Sequence, residues 1–217
     1  NNLLVEGPAD LIYFNLATRV LAQESRTGLS DDWTPVPVGG ADKVVSFVSL
    51  LGAQGLNLAV FMDASPSDQQ RFQAILKNKL MLRKNLITVG SIIGKDEADI
   101  EDLFSISSYL KLVNQSYSKE LGGRAISETD LTDASPRTVK KLEAYFAANK
   151  INNGKFNHYK PAFDLMNRPE WLAEIFDATT KSNFEKAFTA LNAALTAELD
   201  DEASKSLPAK RIKQEAR

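Results

Sequence analysis

The chain has 217 residues, 43% of them apolar, enough for one good-sized core or two small ones. Its 26 basic and 28 acidic side chains leave a net charge of -2, so no global basic field advertises a polyanionic partner. With no cysteine and a single histidine, His158, thiol nucleophiles, disulfides, zinc clusters and histidine-rich metal sites are excluded, and any metal must be held mainly by carboxylates, which suits magnesium, manganese or calcium.

Leu3 to Val5 predict a short strand, and Pro8 suits the first turn of a following helix, where its missing N–H costs nothing. Ile12, Leu16 and Val20 give that helix an apolar ridge. A polar loop, ESRTGLSDDWTP, leads to a second strand at Val36 to Val38, placed at an edge by Pro37. Gly39-Gly40 then turns into a helix with Val44, Phe47, Val48 and Leu51 on one side. LNLAVFMD, 56 to 63, is the clearest strand, apolar as a strand covered on both faces must be. SPSDQQRFQAIL opens a third helix, LITVGSII (86 to 93) is a fourth strand, and a fourth helix begins within DEADIEDLFSISSYLKL. The order βαβαβαβα implies an α/β fold with a parallel sheet over residues 1–112.

Residues 113–134 are polar and turn-rich and read as a linker or mobile loop. From 135 to 217 only helices are expected, the first capped by Ser135 with Pro136 behind it, the next starting at Pro169, and a third carrying Phe184, Phe188, Leu191 and Leu195. The tail LPAKRIKQEAR is basic and expected to fray. No apolar run approaches the roughly 20 residues that span a bilayer and no signal peptide is visible, so the chain reads as soluble and cytoplasmic, without a membrane partner. It has no initiator Met, which is expected of a domain cut from a longer protein.

In open α/β sheets, ligands bind at the carboxyl ends of the strands. Glu6 ends the first strand, Asp10 lies in the next helical turn, Asp63 ends the strongest strand, and Glu101 and Asp102 follow the last one. Clustered carboxylates repel and raise one another's pKa unless cations neutralise them, and two divalent ions about 4 Å apart would do so. Asp10, Glu97, Asp99, Glu101 and Asp102 also have a structural reading as first-turn residues favoured by the helix dipole. Ser65 with Asp68 fits a capping box around Pro66.

Glu-Gly after a first strand, followed by Asp at the end of a later strand with a second ligand two residues on, resembles the Toprim domain. EGPADLIYF with its extra Asp10, together with ADIEDLF after the last strand, resembles nucleases of the overcoming-lysogenization-defect family, class 2. The resemblance covers residues 3–112 and extends more weakly through HYKPA, 158–162. It implies a Toprim-like parallel sheet flanked by helices, with an all-helical C-terminal region. It further implies a two-metal DNA endonuclease or exonuclease, active in phage defence or DNA repair, that uses Mg2+ or Mn2+, with Ca2+ as a further candidate ion. The partners implied are DNA, an N-terminal ATPase of the ATP-binding-cassette type in the same protein, and a helicase-type protein. By position, Glu6 and Asp10 match the first acidic motif, Asp63 the second, and Glu101 with Asp102 the third. Ser65 stands where many Toprim domains have Asp, so it is expected to reach metal through water or only to cap its helix. The family's lysine is matched by Lys160. Glu6 and Asp63 would then hold the ion that activates water, with Asp10, Glu101 and Asp102 near the ion at the leaving oxygen and Lys160 offsetting transition-state charge.

Phosphate contacts are expected from Lys77, Lys79, Arg83 and Lys84, from Lys140, Lys141, Lys150 and Lys155, and from Lys210, Arg211 and Lys213 in the tail, unless these are simply solvated helix faces. Two other readings stand beside the nuclease. One is a topoisomerase- or primase-like Toprim enzyme, although none of Tyr13, Tyr109, Tyr117, Tyr145 or Tyr159 has the setting of a nucleophile. The other is a non-catalytic, metal-stabilised DNA-binding module.

Overall fold

β1 (Asn2–Val5), β2 (Thr34–Pro37), β3 (Leu58–Met62) and β4 (Leu86–Thr88) pair in parallel, in the order β2-β1-β3-β4. The computed structural model describes residues 1–52, 56–78, 81 and 83–205, the side chains at 68, 84 and 196–205 excepted. The crossovers run through α1 (Pro8–Gln23), α2 (Ala41–Gly52) and α3 (Pro66–Lys77). β2 is an edge strand, as Pro37 requires, because Pro35 and Pro37 bring no N–H to a ladder.

Alternation along the strands divides the core. Leu3, Val5, Ala59, Phe61 and Ile87 face one layer, while Leu4, Val60 and Met62 face Val44, Val48 and Ile75 on the other. β3 is buried at every position, as its unbroken apolar sequence predicts. Ile12, Leu16 and Val20 of α1 are all buried, and Phe14 meets Phe61 edge-on at 5.0 Å. Each such ring withdrawn from water contributes about 1.5–3 kcal/mol.

The predicted fourth strand is cut short. Only Leu86–Thr88 are extended, and α4 (Val89–Ile93) follows at once. Thr88 is the reason: its hydroxyl accepts from Ser91 N at 3.1 Å while Ser91 Oγ accepts from Thr88 N at 3.3 Å, a reciprocal cap that outweighs the β-branched residues behind it. Gly94, at φ +71, closes the helix. Ile100–Leu103 form a single 3-10 turn, and the long helix α5 (Ile106–Ser116) begins only after Ser105, whose hydroxyl accepts from Ser108 N.

The rest of the chain is helical: α6 (Thr138–Asn149), α7 (Tyr159–Asn167), α8 (Leu172–Ile175) and α9 (Ala178–Lys205). α6 starts at Thr138 after Arg137, since Ser135 Oγ spends itself on Arg137 N in a local turn rather than on a helix. Pro169 opens a 3-10 turn, Pro169–Trp171, before α8. The stretch expected as a linker sends Val113, Tyr117, Leu121, Ile126 and Leu131 into the same core as the sheet. Phe184, Phe188 and Leu191 of α9 join that core, and Phe188 packs against Phe14 at 5.2 Å. α9 also fastens the polar loop after α1: Arg26 binds Glu185 at 2.7 Å, and Asn192 accepts from Ser30 N at 3.0 Å. The fold is therefore α/β, a parallel sheet flanked by helices with a helical C-terminal region, as a Toprim-like architecture requires. No helix among the described residues is long and apolar enough to cross a membrane.

Candidate functional site

Strand order reverses between β1 and β3, since the chain leaves β1 toward β2 on one side and leaves β3 toward β4 on the other. At such a switch point the crossovers diverge and leave a crevice at the carboxyl ends of the strands. Glu6 follows β1 directly and Asp63 follows β3 directly, so both acids stand at its mouth. The backbone N–H of Asp63 donates to Glu6 Oε1 at 2.9 Å, which ties the two strand ends together. Gly39 N and Gly40 N donate to the Glu6 carbonyl at 2.9 and 2.8 Å. Both glycines have positive φ, +81 and +120, which a side chain would strain.

A third segment is brought in by a short return of the chain. Ala64 and Ala98 exchange backbone hydrogen bonds at 2.7 and 2.9 Å, so the loop after α4 lies along the end of β3. Gly90 makes this close approach feasible. A Cβ there would stand 2.4 Å from Lys95 O and 2.7 Å from Ala64 Cβ. The loop thereby delivers Asp99, Ile100 and Glu101, and Ile100 N donates to Asp63 Oδ1 at 2.9 Å.

The result is a cleft of about 490 Å³ whose walls include Glu6, Asp10, Asp63, Asp99 and Glu101, with Arg137, Lys140 and His158 from the helical region. Apart from the part-exposed Glu6 and Asp63, these acids are buried. Asp10 is pushed up to about 8, first by burial and then by the charges of Glu101 and Glu6, despite a 3.0 Å hydrogen bond from Gly7 N. Burial also raises Asp63 well above the carboxylate range, with Glu6, Asp10, Asp99 and Glu101 adding to the shift. Asp99 is raised by burial and pulled back by Arg137, whose Nε donates to Asp99 Oδ1 at 2.8 Å. Asp99 Oδ2 is buried, and the Asp63 carboxyl lies close enough to Asp99 to share a proton with it. Glu101 is raised by burial and opposed by His158, whose Nδ1 lies 3.2 Å from Oε1. That contact raises His158 in turn, against the effect of its own burial. Below the cleft, burial and the Glu101 charge push the Tyr13 hydroxyl well above 10.

Of the acids singled out from sequence, Glu6, Asp10, Asp63 and Glu101 meet in this cleft. Asp102 does not line it. Its Oδ2 accepts from Asp99 N at 2.9 Å and its Oδ1 from Thr138 Oγ1 at 2.6 Å, so it fastens α6 to the 3-10 turn. Ser65 is buried, with its Oγ 2.8 Å from Ser67 Oγ, and it too lies outside the cleft lining. Lys160 is turned elsewhere. Its ammonium bonds Ser116 O and Asp164 Oδ2 and lies over the Tyr117 ring at 4.8 Å. Lys160 lies in the first turn of α7, where the following Pro161 is tolerated.

Of the basic groups, Lys140 lines the cleft, at 2.7 Å from Glu143. Lys77 ends α3 and Arg83 precedes β4, so they sit at the amino edge of the sheet, opposite the acids. Lys79, the side chain of Lys84, the side chain of Asp68, and Lys210, Arg211 and Lys213 lie outside the described residues.

No protein-family model, curated protein or solved structure matches the chain. The site stands on its geometry alone.

Among the charged groups in the cleft, Asp99, Arg137, Glu143 and His158 were not expected there from the sequence. Asp99 was visible only as one acid of a first-turn run, and no local pattern links it to Arg137, 38 residues on. Among the described residues no three Asp, Glu or His side chains are gathered tightly enough to hold one ion as they stand. The acids share a cleft rather than a finished coordination shell. As a donor set, however, oxygen-rich and with one imidazole, they suit hard divalent cations.

Proposed function

We propose that the cleft binds divalent metal ions, Mg2+ or Mn2+, and hydrolyses phosphodiester bonds of DNA. One observation carries this reading. Carboxylates from three separate segments, Asp10, Asp99 and Glu101 buried and Glu6 and Asp63 part-exposed, are brought together at the switch point of a parallel sheet, where burial and one another's charge push them toward the neutral form. Cations would remove that repulsion. Glu6, Asp10, Asp63, Asp99 and Glu101 are the residues that would hold them. When bound, a pair of such ions supplies Lewis acidity and lowers the pKa of a water molecule.

The chain's own residues divide the remaining work. Glu6 is oriented by the Asp63 N–H and Asp63 by the Ile100 N–H, so neither carboxylate is free to swing out of the cleft. Arg137 and Lys140 place positive charge on the helical wall, where a substrate phosphate would enter. His158, more than half exposed and backed by the buried Glu101, can carry a proton at Nε2 between the cleft and solvent. A nuclease of this kind acting as part of a larger ATPase-containing protein belongs to the same proposal.

The test is incubation of supercoiled plasmid with the protein and magnesium or manganese. The expected result is metal-dependent nicking that Asp63→Ala and Glu6→Ala abolish. Nicking that survives Asp63→Ala, or no cleavage with either metal, refutes the reading.

A further inference from the structure

The outer face of α7 is apolar. Pro161, Ala162 and Leu165 are its buried side, yet Tyr159, Phe163 and Met166 are 36%, 46% and 44% exposed. Spacings of four and three align them as one stripe. The two rings lie 6.0 Å apart and tilt by 34°. A solvated helix face ordinarily carries charge, so an exposed aromatic stripe calls for an occupant.

Three observations choose that occupant. First, Tyr159 also lines the acid cleft, so the stripe begins at the cleft wall. Second, cations bracket it. Lys140 stands in the cleft, and Arg168, just past the end of α7, lies over the Trp171 ring at 4.9 Å. Third, the stripe is narrow. Asn157 and Asn167 beyond its ends are exposed and polar, and a standard protein interface needs about 800 Å² from each partner. Tyr159 to Met166 is seven steps along the helix, roughly 10 Å at about 1.5 Å each, a length that suits a short run of stacked bases better than a protein partner. A thin, anionic ligand with flat faces satisfies all three.

We infer that α7 is a stacking platform for an unpaired nucleic-acid strand, leading it to the acid cleft. This deepens the reading of the cleft as a phosphodiester site and rests on it. Bases would stack on Tyr159 and Phe163 while Lys140 and Arg168 meet phosphates.

Fluorescence anisotropy with a labelled oligothymidylate, compared with a blunt duplex of equal length, tests it. EDTA is present, so binding is read without cleavage. Phe163→Ala should weaken the single strand about tenfold, the effect of losing one stacked base, and leave duplex binding unchanged. Phe163→Trp should retain the affinity. If Phe163→Ala lowers the melting midpoint, Phe163→Leu against Phe163→Trp separates the ring from its bulk. Unchanged single-strand binding, or equal losses on both substrates, overturns the platform. So does loss of self-association in sedimentation without loss of strand binding, which would make the stripe a contact between copies. Hydrolysis of bis(p-nitrophenyl) phosphate with manganese reads the cleft separately. Hydrolysis without strand binding leaves the cleft reading and overturns the platform, whereas strand binding without hydrolysis overturns the cleft reading and with it the role of leading a strand there, keeping α7 only as a strand-binding face.

Discussion

Asp63 and Glu6, 57 residues apart, are joined by a 2.9 Å hydrogen bond from the backbone of one to the carboxylate of the other. The bond makes one acid the structural support of the next. Charge that would otherwise drive the two strand ends apart is partly offset by a main-chain dipole.

The buried acids make the metal-free fold sensitive to alkali. Asp10 binds a proton up to about 8 when folded, against 3.8 for an unperturbed side chain. Between those values the folded state holds a proton that the unfolded chain has released, so stability falls as pH rises through the window. Asp63, Asp99 and Glu101 shift in the same direction, and so does His158, whose contribution is also lost on the alkaline side. Melting midpoints in EDTA should decline from about pH 5 to about pH 8, and magnesium or manganese should restore more at the higher pH, where fewer protons compete. Midpoints that climb over that range in EDTA would contradict the burial of these acids.

Asp10→Asn removes a buried charge yet keeps an oxygen able to accept from Gly7 N. The variant is expected to melt higher than the parent in EDTA at about pH 8, while calorimetry shows weaker binding of manganese. A lower midpoint with unchanged affinity would show that Asp10 serves the fold alone.

Arg137→Ala strips Asp99 of its counter-charge. Asp99 is almost fully buried and Arg137 partly so, and the loss should be about 2–3 kcal/mol of unfolding free energy in urea at neutral pH. Acid should narrow the difference, because a protonated Asp99 no longer needs the guanidinium. A difference that is constant with pH would point to lost packing instead.

Lys160 and Asp102 are predicted to be structural. Lys160→Met should leave the rate of metal-dependent nicking unchanged while lowering stability by about 1 kcal/mol through the lost contacts to Ser116 and Asp164. Asp102→Ala should cost about 2–3 kcal/mol, since Thr138 and the Asp99 N–H are left without their acceptor. A large fall in nicking by Lys160→Met, with stability intact, would return that lysine to the cleft.

The sheet was legible because its signals are local. An unbroken apolar run over 58–62, a proline on the second strand and a ridge at four-residue spacing on α1 each determine their own burial. Strand-end acids were legible for the same reason, since topology alone sends Glu6 and Asp63 to one edge. The companion groups were not. Whether an acid after the last strand faces the cleft or a helix depends on a 3-10 turn, which directs Glu101 inward and Asp102 toward Thr138 one residue later. Lys160 and His158 differ by two positions, and packing under α7 sends one to Tyr117 and the other to Glu101. The end of β4 was missed because a Thr–Ser reciprocal cap overrode β-propensity.

Gly90 touches none of the acids, yet they depend on its missing methyl. With Lys95 O only 2.4 Å from where a Cβ would stand, any larger residue would lift the returning loop from β3 and carry Asp99 and Glu101 with it. The bore of the acidic chamber is thus gauged by backbone clearance in a five-residue helix. Widening it would begin at position 90, with the acids themselves left untouched.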